Sequence, residues 1–179
     1  MNKKNIVFIA QSLDGYIAGK NGELEWLHSI PNPDNNDMGF SDLIQEVDAI
    51  IMGRTTFETV VGFGVEWPYT KPVFVLSHSL KRVPSGFEKK ATLISGTPSK
   101  ILTQLHKVGY QNLYIDGGVT IQNFLEHDLI DELRITTIPI LLGGGSSLFG
   151  VMDASIDYEL ISSKVYLNQI VQTHYRRKK

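Results

Sequence analysis

Ile50-Ile51-Met52-Gly53-Arg54-Thr55-Thr56-Phe57-Glu58 joins an apolar run to a glycine, a guanidinium and two hydroxyls. Residues 49–52 have the length and composition of a strand buried on both faces, and Gly53 closes it. The polar residues that follow sit where a helix would begin. The first N–H groups of a helix have no partner within it, its dipole favours anions there, and an Arg adds a forked donor matched to phosphate oxygens. Gly53, Arg54, Thr55 and Thr56 are therefore read as a grip for a phosphorylated cofactor. The alternative is a surface ion pair at Arg54, with threonines that only cap a helix.

Similar apolar runs fall at 6–10, 73–76 and 113–115, each closed by Gly, Ser, Asp or Gln. Helical patterns lie between and after them, over 41–47, 55–61, 98–107 and 119–127. Strands that alternate with helices predict an α/β fold with a mainly parallel central sheet and helices on both faces. After Asp131 the rhythm changes to longer strand patterns at 132–142, 158–166 and 169–176, which should add antiparallel strands at one edge. The stretch 12–40 reads as one long irregular segment, of a length that in a small domain is usually functional.

Two more strand ends carry ligand chemistry. Ile115-Asp116-Gly117-Gly118 places glycines just before a helix, where a missing Cβ lets backbone approach a pyrophosphate; a plain tight turn is the other reading. Val75-Leu76-Ser77-His78-Ser79 ends in hydroxyls and an imidazole able to bind phosphate or ribose, or is simply a strand end. Neither is the G-x-G-x-x-G fingerprint, so a standard Rossmann site is not indicated. Ligands of parallel sheets bind outside the carboxyl ends of the strands, which is where all three segments lie.

Composition bounds the rest. The 179 residues suffice for one domain with its own core, and 17 Lys+Arg against 19 Asp+Glu give a net charge of −2, which argues against nucleic acid as a partner. The chain has no cysteine, so disulfides and thiolate chemistry are excluded and a cytoplasmic location is expected. The five histidines show no metal-ligand spacing and no serine sits in a G-x-S-x-G elbow, so neither metal catalysis nor serine hydrolysis is expected. The first apolar run is too short for a membrane span.

Asn5 to Ala18, Ile50 to Glu58, Val73 to Ser77, Ile115 to Gly118 and the strand around Arg134 to Ile138 follow the order and spacing of dihydrofolate reductases. The chain resembles still more the bacterial branch that links that fold to the C-terminal reductase domain of riboflavin biosynthesis. Ser12-Leu13-Asp14-Gly15-Tyr16-Ile17-Ala18, Val47-Asp48-Ala49-Ile50, Trp67-Pro68-Tyr69 and Pro139-Ile140-Leu141-Leu142-Gly143-Gly144-Gly145 carry that likeness.

The resemblance implies a three-layer dihydrofolate reductase-like fold over 1–179, NADPH as cofactor and reduction of a small nitrogen heterocycle by hydride transfer. It implies phosphate contacts at Gly53, Arg54, Thr55 and Thr56, and a 2′-phosphate contact at Leu76, Ser77 and His78. The diglycine turn at Gly117, Gly118, Val119 and Thr120 would lie under the pyrophosphate, with a nicotinamide wall at Ala10, Ile17 and Ala18. The family's acid precedes the MGR-x-T strand, and the same distance back from Gly53 reaches Asp37, with Asp34 and Asp42 near enough to compete. Its hydroxyl partner corresponds to Thr136. Trp26, Phe40 and Trp67 are expected to line the substrate cleft, and desolvation beside Trp26 and Phe40 to raise the pKa of Asp37.

Lys71 stands where folate reductases carry an Arg, and an ammonium cannot reproduce the bidentate fork that holds the folate carboxylate. Ile121 replaces an aromatic residue that often packs near the nicotinamide. Dihydrofolate, a ribosylaminopyrimidine and another heterocycle all stay open as substrate, as does a nucleotide-binding or assembly protein without turnover. Relatives in the riboflavin branch pair through their late strands, so a homodimer is expected.

Overall fold

The structure, a computed structural model, describes residues 3–178. In chain order it contains β1 (Lys4–Ser12), β2 (Tyr16–Ala18), α1 (Phe40–Glu46), β3 (Ala49–Gly53), α2 (Arg54–Gly62), β4 (Val73–Leu76), β5 (Ala91–Ile94) and α3 (Pro98–Lys107). There follow β6 (Asn112–Asp116), α4 (Gly118–Glu126), β7 (Glu132–Ile138), β8 (Ser146–Ser147), β9 (Tyr158–Tyr166) and β10 (Ile170–Arg177). Eight strands form one sheet in the order β5-β4-β3-β6-β1-β7-β10-β9. Strands β1 and β3 to β7 run parallel to one another, and β10 and β9 extend the β7 edge in antiparallel register.

Strand alternation divides the core into two layers. Ile50 and Met52 face α1 and α2 together with Ile6, Val73, Val75 and Tyr114. Ala49 and Ile51 face α3 and α4 together with Val7, Leu113, Ile115, Ile121 and Phe124. Because both faces of β3 are covered, all four of these β3 residues are buried, and the strand reads in sequence as an unbroken apolar run.

Three segments differ from the sequence expectation. β5 was not foreseen: its four residues lie at the sheet edge between Lys89-Lys90 and Ser95-Gly96, too short and too polar in its flanks to stand out. β7 stops at Ile138 rather than 142, because Pro139 has no N–H for a ladder; Ile140 and Leu142 turn instead to pack against Trp26, Ile138, Tyr166 and Ile170. The stretch 12–40 is also less irregular than expected, since it holds β2 and a 3-10 helix over Glu25–His28.

The amino end of β7 carries an ionic cluster. The buried carboxylate of Glu132 meets Lys4 Nζ at 2.8 Å, Arg134 Nη2 at 3.0 Å and His174 Nε2 at 3.0 Å, and Arg134 also reaches Glu46 at 2.6 Å. Burial opposes ionisation of Glu132, but the hydrogen bonds from Lys4 and Arg134 outweigh it and hold its pKa down to about 2. This cluster joins β1, β7, β10 and the end of α1 at the edge of the sheet opposite the strand ends described next.

Candidate active site and cofactor groove

The carboxyl ends of β3 and β6 lie side by side, each turning straight into a helix, so the amino ends of α2 and α4 point out of the same edge. Gly53 and Gly117 make this possible. A Cβ on Gly117 would come 2.4 Å from Thr56 Oγ1, and one on Gly53 would come 2.8 Å from Thr120 Oγ1; Gly117 also has φ of +91°, which disfavours any side chain. Gly53, Thr56, Gly117 and Thr120 therefore form one contact cluster with two helix dipoles behind it. Thr55 and Val119 are exposed beside it, in the first turns of α2 and α4. The other positions expected to meet a cofactor lie along the same edge. Ile17 Cδ1 sits over Gly118, where a Cβ would approach to 2.7 Å, and Ala18 follows in β2. Ala10 is paired with Thr136 across β1 and β7.

Arg54 is less free than its sequence setting suggests. Its Nε binds Glu58 at 2.7 Å and its Nη1 donates to Ser79 Oγ at 2.9 Å. The guanidinium thus spans from α2 to the loop after β4, where Ser77 Oγ accepts the Leu80 N–H at 2.9 Å and His78 is exposed. Leu76 turns to the α3 and α4 side and packs into that core layer. The surface ion pair is observed, and Arg54 makes it beside the amino ends of two helices. Side chains, backbone N–H groups and missing Cβ atoms here fit the phosphates of a dinucleotide.

The expected acid is not where its chemistry requires it. Asp37 is exposed, and its carboxylate accepts the Gly39 N–H at 3.0 Å and the Ser41 N–H at 2.9 Å as a cap on α1. Hydrogen bonds from the Ser41 hydroxyl and these N–H groups lower its pKa, so the expected desolvated carboxyl of raised pKa is absent at this position. Trp26 is likewise displaced from the expectation: it is buried in the cluster with Tyr166 and Ile170, its Nε1 donating to the Glu23 carbonyl at 3.2 Å. Ile121 is fully buried in the α4 layer, away from the groove. Thr136 is buried as well, and Gln172 Nε2 donates both to its Oγ1 at 2.9 Å and to the Met38 carbonyl at 3.0 Å, tying the loop before α1 to β7.

A carboxyl with the required properties stands at Asp116. Alternation along β6 puts Tyr114 and Asp116 on the α1 and α2 side of the sheet, beside Phe40, whose ring lies 6.5 Å from Tyr114, 6.4 Å from Tyr69 and 6.0 Å from Phe8. Trp67 closes the aromatic wall at 5.2 Å from Tyr69. Burial pushes the Asp116 carboxyl up to about 6, against the pull of the Gly117 N–H and the Tyr114 hydroxyl. The Tyr114 hydroxyl donates to the Phe8 carbonyl at 3.0 Å. The sequence signal was available: Asp116 is an acid between Ile115 and Gly117 at the end of a central strand, two residues from an aromatic on the same face.

A separate cavity of about 480 Å³ opens on the other face of the sheet, between Leu125, Leu133 and the segment around Met152 and Ile156. It shares no residue with the groove, and no Lys, Arg or His lines it. Among the described residues no group of three or more His, Asp or Glu could hold a metal ion, and no helix is long and apolar enough to cross a membrane.

The sheet order, the antiparallel edge and the two helix ends define a dihydrofolate reductase-like protein. Within that class the chain belongs to the RibD C-terminal domain family, whose profile matches residues 3–172. A crystal structure described as a putative riboflavin biosynthesis protein from Shewanella sp. PV-4 is 55% identical, with a TM-score of 0.96 over 98% of this chain and 99% of that one. The diaminohydroxyphosphoribosylaminopyrimidine deaminase/5-amino-6-(5-phosphoribosylamino)uracil reductase of Thermotoga maritima is 15% identical with a TM-score of 0.73, over 99% of this chain and 57% of that one. A dihydrofolate reductase from Enterococcus faecalis, solved in complex with NADP(H), is 21% identical with a TM-score of 0.67, over 98% and 97%. At such identities the last two likenesses are of fold.

Proposed function

We propose that the chain, as a single reductase domain, is an NADPH-dependent oxidoreductase that reduces a small nitrogen heterocycle. The observation that carries this reading is the Asp116 carboxyl, half-buried on the face of the sheet that holds Phe40, Tyr69 and Tyr114, with its pKa raised, and directly before the Gly117-Gly118 turn. NADPH, when bound, supplies a hydride to a C=N or C=O bond. Gly53, Thr55, Thr56 and Thr120 hold the pyrophosphate at the two helix ends, while Arg54, Ser77 and His78 hold the 2′-phosphate, which requires Arg54 to exchange its Glu58 partner for phosphate. Ala10, Ile17 and Ala18 pack against the nicotinamide and exclude water. Phe40, Tyr69 and Trp67 orient a flat ring, and Asp116 donates the proton that completes the reduction, with Tyr114 aligning its carboxyl. Asp37 organises α1, and Thr136 with Gln172 fixes the cleft wall. The RibD C-terminal family and the pyrimidine reductase fold favour a ribosylaminopyrimidine-like substrate, and Lys71 in place of an Arg disfavours folate. Leu160, Ile161, Val165 and Val171 leave an exposed apolar patch on β9 and β10, which supports a homodimer through these strands.

The test is consumption of NADPH, followed by loss of reduced-nicotinamide absorbance, across a panel of pterins, aminopyrimidines and folates. The reading requires at least one substrate whose turnover is lost in Asp116→Asn while NADPH still binds. Saturable NADPH binding with no turnover on any member would leave a binding protein instead.

A further inference from the structure

The loop after β1 and the loop after β7 are tied to each other before either reaches the groove. Asp14 makes the tie: Oδ1 accepts the Ser12 hydroxyl at 2.6 Å and the Leu142 N–H at 3.1 Å, and Oδ2 accepts the Gly143 N–H at 2.7 Å. Ser12, buried at the end of β1, accepts the Tyr16 N–H at 3.0 Å on the same hydroxyl oxygen. Among the described residues neither the Leu142 nor the Gly143 N–H finds a backbone acceptor, so the carboxylate is what satisfies them.

Beyond this point the two loops run together. β2 pairs with β8, Gly15 O accepts the Leu148 N–H at 2.9 Å, and Gln122 of α4 donates to the Ser147 carbonyl at 2.9 Å. Gly145 lies so close to the Ala18 carbonyl that a Cβ could not fit between them. The result is a two-loop flap whose Ile17 rests on Gly118. One end is held by the buried Leu148 and by Gln122, and the other by the exposed Asp14 together with the Leu13 N–H, which donates to the Ile140 carbonyl at 2.8 Å.

We infer that Asp14 is a positioning residue that latches the two loops together and so presses Ile17 and Ala18 onto the diglycine turn, setting affinity for the cofactor. This rests on the reductase reading above. Asp14 touches neither the groove nor the aromatic cleft. An ionised carboxylate suits the place because all three of its partners donate, and their hydrogen bonds, that of Ser12 foremost, hold its pKa down. An amide would turn its own N–H₂ against one of them.

Amide exchange of the ligand-free chain tests the latch, and NADPH titration followed by tryptophan fluorescence tests its consequence, in wild type, Asp14→Ala and Asp14→Asn. Both variants should lose about tenfold or more of the protection at Leu142 and Gly143, while amides of β1, β3 and β6 keep theirs and so report an intact fold. The Kd for NADPH should rise about tenfold, with KM for NADPH following it and kcat changing less. Protection that survives in Asp14→Ala, or protection lost with the NADPH Kd unchanged, overturns the inference. A wild-type chain that binds no NADPH sinks the reductase reading and the affinity half of this one together. The exchange data would then still show whether the latch exists, which separates the two failures.

Discussion

Replacing Asp116 with Asn should make the protein more stable at neutral pH and inactive, and the stability gain should depend on pH in a defined way. The folded state raises the pKa of the carboxyl from 3.8 to about 6. Each unit corresponds to about 1.36 kcal/mol, so keeping this group ionised costs the fold about 3 kcal/mol. The sign follows from linkage: a carboxyl raised on folding favours the native state while protonated, and that advantage is lost as pH rises from 3.8 through about 6. Asn keeps an oxygen for the Gly117 N–H, which Asp116 Oδ1 accepts at 2.9 Å, and never ionises. Urea unfolding of both proteins from about pH 4 to about pH 8 should therefore show curves that nearly coincide in acid and diverge to about 3 kcal/mol above about pH 7, at equal m-values. Turnover should fall about 100-fold or more with the NADPH Kd within about threefold of wild type. A difference in stability that does not vary with pH would refute the assignment of a desolvated acid to this position.

The pH profile of kcat for the wild type should fall as pH rises through about 6, because the proton donor must be protonated; stopped steady-state assays decide this, and a flat profile would move the acid elsewhere. Asp37→Ala should cost about 1 kcal/mol through loss of the α1 cap, seen in denaturant midpoints, and leave turnover within about threefold. Glu132→Gln should destabilise by about 3 kcal/mol, because Lys4 and Arg134 then face a neutral partner in a buried site, again with little effect on NADPH affinity. Arg54→Ala should weaken NADPH about tenfold in a fluorescence titration and NADH much less, since only the former carries the 2′-phosphate.

How far the sequence could be read depended on whether a feature was local. The strand-plus-MGRTT segment, the strands at 73–76 and 113–115, and the four helices were legible because apolar runs and helix starts are written within a dozen residues. The antiparallel edge was legible for the same reason, with β9 and β10 found close to their expected spans. Asp37 failed as a desolvated acid because its placement rested on a count across a loop whose path the sequence does not show; Asp37 ended as a helix cap, and Trp26 of the same loop ended in the core beside Tyr166 and Ile170. Asp116 was in view as part of the diglycine turn, yet its role depends on which face of β6 it shares with Tyr114 and on the distant ring of Phe40. The Asp14 latch is of the same kind, since Leu142 and Gly143 lie far along the chain and meet it only because β1 and β7 are neighbours.

The exposed apolar residues of β9 and β10 also bear on how the protein behaves at different concentrations. Leu160 and Val165 are 58% and 61% exposed, on the last strand of the sheet. A strand of this kind invites pairing with whatever edge it meets, and the charges at Glu159 and Lys164 guard it only in part. If two copies cover the patch, the folded state gains stability by mass action and the unfolding midpoint rises with protein concentration. Dilution would then uncover the patch and lower the unfolding midpoint, so the same surface that supports assembly ties the stability of the fold to protein concentration.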